Sequence, residues 1–120
     1  MASVSHSGFL AKQSEWLRDW RRRWFVLRGA TLLWSKTPTE EPHGSVDLRE
    51  CLTVKSADER TGREYSLEVS TRSGEVYLLV ADSAADKDAW IAAIGRAIVT
   101  SSSSFLRRPA VDNDDDDDDE

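Results

Sequence analysis

The chain has 120 residues, of which 39% are hydrophobic and 32% charged, as in a single small globular domain. No apolar run approaches the ~20 residues that span a bilayer, and the first seven residues lack the pattern of a secretory signal. One cysteine and two histidines exclude an internal disulfide and a Cys- or His-rich metal centre. We therefore expect a cytoplasmic protein that needs no cofactor and no metal.

Charge is distributed unevenly along the chain. There are 16 basic and 22 acidic residues, a net charge of -6, and eight of the acids lie in residues 112–120. Without that run, 14 acids face 16 bases, so the rest of the chain has a net charge of +2. The acidic run has three interpretations: a solvated end, a ligand for a basic patch of another protein, or a segment that folds back on Arg21 and Arg23.

Composition divides the chain into a flexible N-terminus (1–7), one domain (8–100) and a disordered Ser-rich and acidic tail (101–120). Short apolar runs separated by Gly- and Pro-containing turns predict strands in the first part of the domain. Residues 65–70 alternate apolar and polar side chains, which is typical of a half-buried strand. The predicted strands are 8–13, 20–28, 31–35, 45–48, 52–57, 65–70 and 76–80.

The apolar period changes after residue 80. Ser83 and Asp86 form a capping box that predicts a helix start near Ser83, and the helix is expected to end near Thr100. Its apolar side chains need the preceding sheet as a packing partner. The sequence therefore predicts a mostly β fold with one C-terminal helix, whose apolar stripe consists of Trp90, Ile91, Ile94, Ala97 and Ile98.

The hairpin from Lys12 to Arg28 is the most basic part of the domain, with six bases and two acids. Strand parity places Arg21 and Arg23 on the same face as Phe25, and Arg22 on the other face. If Phe25 faces the core, Arg21 and Arg23 point inward as well.

Two inward arginines are costly to bury without acidic partners, so we expect them at an open end of a barrel, where an anion can reach them. Lys12 on the neighbouring strand faces the same way. Guanidinium groups donate two parallel hydrogen bonds to phosphate oxygens. A phosphate pocket is therefore favoured over a solvated basic face on a surface hairpin.

At this point the sequence resembles a pleckstrin-homology (PH) domain over residues 8–99. The resemblance rests on four pieces in order: GFLAK at 8–12, WRRRWFVL at 20–27, TLLW at 31–34, and Trp90 within a C-terminal helix. The short chain is similar to the small single-domain members of plants and green algae. The resemblance implies a seven-stranded, strongly bent antiparallel barrel capped by the helix.

The resemblance also implies that phosphoinositide headgroups bind at the open end. In the family's pattern, basic residues late in the first strand and early in the second grip the phosphates, which corresponds here to Lys12, Arg21 and Arg23. A further base of the intervening loop corresponds to Arg18.

Two positions depart from the family pattern. Trp34 stands where a tyrosine is common, so it can stack but cannot donate a hydroxyl hydrogen bond. His43 stands where a base is often found, and it is mostly neutral at pH 7. Both departures argue against high affinity for heavily phosphorylated lipids and are compatible with a monophosphate. Trp16 and Leu17, in the loop beside the pocket, either dip into the membrane interface or fold back on Trp20 or the sheet.

No nucleophile, base and orienting group occur together, so catalysis is not expected. Cys51 is interpreted as a buried thiol, and Trp24 and Trp90 as structural residues. The expected function is reversible recruitment by phosphoinositides to the anionic surface of endosomal or plasma membranes, in signalling or trafficking. The alternative is a protein-interaction module on the same fold. A nucleic-acid partner is not expected because the acidic run opposes a polyanion, and the chain is expected to be a monomer.

Overall fold

The computed structural model describes residues 3–14 and 18–107, with side chains described up to residue 101. Within these residues the chain forms seven strands, one short 3-10 helix and two α-helices. The strands are β1 (Val4–Gln13), β2 (Trp20–Arg28), β3 (Thr31–Ser35), β4 (Gly44–Asp47), β5 (Cys51–Ser56), β6 (Ser66–Thr71) and β7 (Val76–Val80). The helices are the 3-10 helix (Leu48–Glu50), α1 (Asp58–Thr61) and α2 (Ala84–Arg107).

All seven strands belong to one antiparallel sheet with the order β4-β3-β2-β1-β7-β6-β5. The edge strands β4 and β5 are nevertheless joined by the three residues Leu48–Glu50. Seven strands laid flat would separate these edges by about 29 Å, whereas four peptide steps reach at most about 15 Å. The sheet must therefore curve back on itself, and the predicted combination of bent antiparallel sheet and C-terminal helix is confirmed.

Helix α2 covers the interior on the side where β1 begins. The Ser83 hydroxyl accepts a hydrogen bond from the Asp86 amide at 3.1 Å, which confirms the predicted start of the helix. Trp90, Ala93, Ile94 and Ile98 are buried in the core formed by the inner faces of the strands. None of the described helices is long and apolar enough to cross a lipid bilayer.

Both ends of the folded unit differ from the prediction. Strand β1 begins at Val4, because residues 4–7 pair with β2 instead of forming a flexible lead-in. Helix α2 continues through Arg107, so the backbone of residues 101–107 is helical and not disordered. Serine has only a modest helix penalty, which a helix already nucleated by packing tolerates. The expectations for residues 1–2 and for the acidic run lie outside the described residues.

Strand β6 was predicted to be half-buried, but Ser66, Leu67, Glu68 and Val69 are all buried. The reason is α1, which follows β5 and lies against the outer face of β6. Arg60 on α1 forms an ion pair with the buried carboxylate of Glu68 at 3.2 Å. The alternation in the sequence correctly predicted which side chains of β6 are polar. Their burial depends on α1, which packs over the polar face of this strand.

One carboxylate connects α1, β6 and α2. Oδ1 of Asp58 accepts hydrogen bonds from the Ser66 amide at 2.9 Å and from Lys87 Nζ at 2.9 Å. The hydrogen bond from Lys87, together with that from the Ser66 amide, lowers the pKa of Asp58 below its ordinary value. The ionised carboxylate therefore stabilises the native state above the ordinary carboxyl pKa, and this contribution disappears as the pH falls through the lowered value.

We expect Asp58→Asn to be less stable than the wild type at neutral pH, because asparagine keeps an oxygen for Ser66 but loses the charge opposite Lys87. The difference in unfolding free energy should shrink as the pH falls below about 4. Urea unfolding between pH 7 and pH 3 measures it. Glu59→Gln removes an exposed carboxylate from the same helix and is the control. A difference in unfolding free energy between the wild type and Asp58→Asn that stays constant with pH would contradict this role of Asp58.

Gly44 is required by the packing of the neighbouring strand. It pairs directly with Trp34 across the β3–β4 ladder, and the indole of Trp34 lies over its Cα. A Cβ built on Gly44 would overlap the indole. The ring thus occupies the space that any other side chain would need.

Gly44→Ala is therefore expected to cost about 1–3 kcal/mol of unfolding free energy, the range typical of an overpacked site. The matched control is Gly95→Ala in α2, where an added Cβ would lie 3.7 Å from Val54 Cγ1, an ordinary contact. Because glycine inside a helix is unfavourable, Gly95→Ala should gain about 0.5–1 kcal/mol. Chemical denaturation measures both, and a Gly44→Ala variant as stable as the wild type would show that the indole moves freely.

Candidate phosphate-binding site

The β1–β2 hairpin brings three basic side chains to one face of the sheet. Lys12 pairs directly with Arg21, and Leu10 pairs with Arg23. Because directly paired residues share a face, Lys12 and Arg21 lie on the side of the buried Leu10, and Arg23 lies between Arg21 and the buried Phe25. We call Lys12, Arg21 and Arg23 the basic triplet.

The basic triplet lies at the end of the sheet that α2 leaves uncovered. Phe25 separates the two ends: its ring centroid is 6.4 Å from that of Trp90 on α2 and 5.5 Å from that of Trp34 on β3. Trp90 also contacts His6 near the start of β1, with ring centroids 4.4 Å apart. The triplet lies at the other end of β1, which we call the open end.

Two aromatic rings hold the Lys12 ammonium. Nζ of Lys12 lies 5.1 Å from the ring centroid of Trp34 and 5.8 Å from that of Tyr77, and the two rings contact each other at 6.1 Å. Cation–π contacts of this kind contribute about 0.5–2 kcal/mol each. Trp34 was among the predicted site residues, whereas Tyr77 was missed. Its parity with the buried Leu79 on β7 was a usable signal, but only the pairing of Leu79 with Lys12 places Tyr77 at the open end.

The two arginines of the basic triplet form intramolecular contacts that are exposed to solvent. Nη2 of Arg21 lies 3.4 Å from Oδ2 of Asp19, and both side chains are about half exposed. Exposed ion pairs contribute at most about 1 kcal/mol, so an entering anion can displace this one. Nη1 of Arg23 donates a hydrogen bond to the carbonyl oxygen of Arg22 at 2.9 Å.

Arg22 points to the other face and is fully engaged there. Its guanidinium donates two hydrogen bonds to Asp82, at 2.8 and 3.0 Å, and lies 4.4 Å from the ring centroid of Phe9. The hydrogen bond from Arg22 lowers the pKa of the Asp82 carboxyl below its ordinary value, and the same bond raises the pKa of Arg22. Three consecutive arginines are thus divided between two faces by strand parity alone.

Arg18 is exposed in the loop between β1 and β2 and has a φ of 60°, the left-handed region. Hydrogen bonds hold its backbone: its amide donates to the Ser14 carbonyl at 3.1 Å, and its own carbonyl accepts from the Gln13 side chain at 3.1 Å. The predicted membrane-contact residues Trp16 and Leu17 lie outside the described residues.

The loop between β3 and β4 also lies at the open end, because β3 runs antiparallel to β2 and finishes beside the start of that strand. His43 lies there with an exposed side chain, and its amide donates to the Trp34 carbonyl at 2.9 Å. The structure therefore places His43 next to Trp34 along the ladder.

The remaining sequence interpretations concern structural residues. Cys51 is buried, as predicted, and burial raises the pKa of its thiol. Trp90 is a core residue, as predicted. Trp24 packs its ring edge-on against Phe9 at 4.9 Å on the outer face. Within residues 3–14 and 18–107, no three His, Cys, Asp or Glu side chains lie close enough together to hold a metal ion.

The site's chemistry follows from its charge. Like charges directly opposite each other, such as Lys12 and Arg21, destabilise a pair of strands. An anion between them removes that repulsion and accepts charge-assisted hydrogen bonds, which are about twice as strong as neutral ones. The open end is therefore suited to a compact, multiply charged oxyanion such as a phosphate monoester.

Comparisons with known proteins agree with this architecture. The model of the PH domain family matches residues 4–99. The chain is 37% identical to Pleckstrin homology domain-containing protein 1 of Arabidopsis thaliana over 107 residues, which cover 84% of this chain and 73% of the relative. It is 34% identical over 91 residues to the RAC family serine/threonine-protein kinase homolog of Dictyostelium discoideum, of which it spans only 20%.

Solved structures show the same arrangement of strands and helix. The C-terminal PH domain of pleckstrin in complex with D-myo-Ins(1,2,3,4,5)P5 is 31% identical, with a TM-score of 0.69, over 79% of this chain and 98% of that domain. The Slm1 PH domain in complex with phosphoserine is 25% identical, with a TM-score of 0.67, over 76% of this chain and 91% of that domain. Sequence and architecture together show that the chain belongs to the PH domain family.

Proposed function

We propose that the protein is a non-catalytic module that binds phosphoinositide headgroups at its open end and is thereby recruited reversibly to cytoplasmic membrane surfaces. The observation that carries this proposal is the register of the β1–β2 hairpin, which places Lys12 directly opposite Arg21 with Arg23 alongside, away from α2. The similar pleckstrin domain in complex with an inositol pentakisphosphate supports an inositol phosphate as the class of ligand for this architecture.

Two attractions act in this mechanism. Bases near the anionic cytoplasmic leaflet contribute about 1 kcal/mol each without selecting a lipid. Hydrogen bonds from the basic triplet to phosphate oxygens then select headgroups that carry phosphate monoesters. Because neither attraction alone holds the protein firmly, its location follows the lipid, at endosomal or plasma membranes. Binding weakens as salt rises, since exposed charges are screened beyond roughly 8 Å at physiological ionic strength.

The alternative is a protein-interaction module on the same fold. The observation that favours it is the outer face, where arginines stack on aromatic rings: Arg63 lies 4.9 Å from the ring centroid of Trp20, and Arg22 covers Phe9. Arginine and aromatic residues are enriched at protein interfaces. A protein partner bound on that face would remain bound when Arg21 and Arg23 are substituted.

Arg23→Ala is expected to abolish the preference for phosphoinositide vesicles over phosphatidylserine vesicles of equal charge, while the domain stays folded. Arg22→Ala removes the same charge from the adjacent position on the other face, and it should keep that preference. Vesicle co-sedimentation at several salt concentrations measures both variants, with circular dichroism to check folding. Equal loss of preference in the two variants would mean that net charge, and not the open end, determines binding.

A further inference from the structure

The turn between β6 and β7 (residues 72–75) contributes an acidic group to the open end. The hydroxyl of Tyr77 lies 3.4 Å from Oε1 of Glu75, longer than an ordinary hydroxyl hydrogen bond. Because Tyr77 also contacts the Lys12 ammonium and the Trp34 ring, the Glu75 carboxylate lies beside the site and not on a remote surface. Arg72 of the same turn is close to the 3-10 helix: its amide donates to the Glu50 carbonyl at 2.9 Å, and its charge acts on the Cys51 thiol, where it opposes the rise in pKa that burial causes.

This arrangement gives the open end two unlike sides. On the side of the β1–β2 hairpin, Lys12, Arg21 and Arg23 are cationic. On the side of β7, the described groups include the Tyr77 hydroxyl and the exposed carboxylate of Glu75. A single phosphate monoester fits the first side, and a hydroxyl at its edge can donate one further hydrogen bond.

We propose that Tyr77 and Glu75 determine how many phosphates the site accepts. Tyr77 holds the Lys12 ammonium with its ring and donates its hydroxyl to the first phosphate, exchanging a long contact with Glu75 for a short charge-assisted bond. Glu75 then repels a second phosphate placed toward the β6–β7 turn, because neighbouring phosphates of an inositol ring are only a few ångströms apart. The favoured ligand is a phosphoinositide with one phosphate monoester.

In this proposal, Tyr77 supplies the hydroxyl that Trp34 lacks. Trp34 supplies a ring under Lys12 but has only an indole N–H to donate. Tyr77 on the neighbouring strand β7 places its ring beside the same ammonium and carries a hydroxyl. The two aromatic residues therefore have separate roles, one as a stacking surface and one as a specific donor.

The inference rests on the proposed function, and its test uses the full chain with vesicles that contain a phosphatidylinositol monophosphate, a bisphosphate or phosphatidylserine, matched in total charge. Glu75→Gln should raise affinity for the bisphosphate about threefold to tenfold with a smaller gain for the monophosphate, since one repulsive charge within a Debye length is removed. Tyr77→Phe keeps the ring but loses the donor, and it should weaken monophosphate binding by about tenfold.

Each variant has a control of the same chemistry at the other end of the β6–β7 hairpin. Glu64→Gln removes one exposed carboxylate just before β6, and Tyr65→Phe removes the hydroxyl of the other tyrosine. If Glu75→Gln changes the ratio of bisphosphate to monophosphate affinity no more than Glu64→Gln, the role of Glu75 is wrong. If Tyr77→Phe binds the monophosphate as tightly as Tyr65→Phe, the role of the hydroxyl is wrong.

Vesicle binding by the wild-type protein distinguishes failure of this inference from failure of the proposed function. A wild-type protein that binds either phosphoinositide no better than phosphatidylserine would overturn the proposed function and this inference with it. A wild type that prefers phosphoinositides, combined with variants that match their controls, would overturn only the inference. A wild type that prefers the bisphosphate over the monophosphate would also overturn it.

Discussion

The two-residue period of a β-strand is the constraint on which this site depends. Because successive side chains alternate between faces, the run Arg21–Arg23 cannot present all its charges to one ligand. The burial of Phe25 fixes which face is inside, and Arg21 and Arg23 must then share that face while Arg22 is turned to Asp82. A slip of one residue in register would exchange these roles and expose the core.

The same alternation places two positive charges directly opposite each other near the end of the β1–β2 ladder. Lys12 opposite Arg21 weakens the end of the β1–β2 ladder, and the ring faces of Trp34 and Tyr77 offset part of this cost. Unlike a carboxylate, an aromatic ring face stabilises an ammonium without cancelling its charge. The ion pair between Arg21 and Asp19 is exposed and long.

Closure of the sheet gives its interior two ends of different character. Because the 3-10 helix joins the two edge strands over only three residues, the curved sheet encloses an interior with two ends. Helix α2 covers one of these ends with Trp90 and its neighbours, and the other is the open end. The link between Asp58 and Lys87 fixes the first turn of α2 against α1 and β6. The end that α2 leaves uncovered is the end that carries the basic triplet.

The sequence by itself determined the seven strands, the helix start at Ser83 and the face of each arginine, because periodicity and capping are local properties. It also identified the basic triplet as neighbours on one hairpin. Only the tertiary structure decided that β7 lies next to β1 and brings Tyr77 and Glu75 to the open end, since residues more than 60 positions apart meet through sheet order, which no local pattern encodes. Likewise, the burial of Glu68 depended on α1 packing over a face that alternation marked as polar.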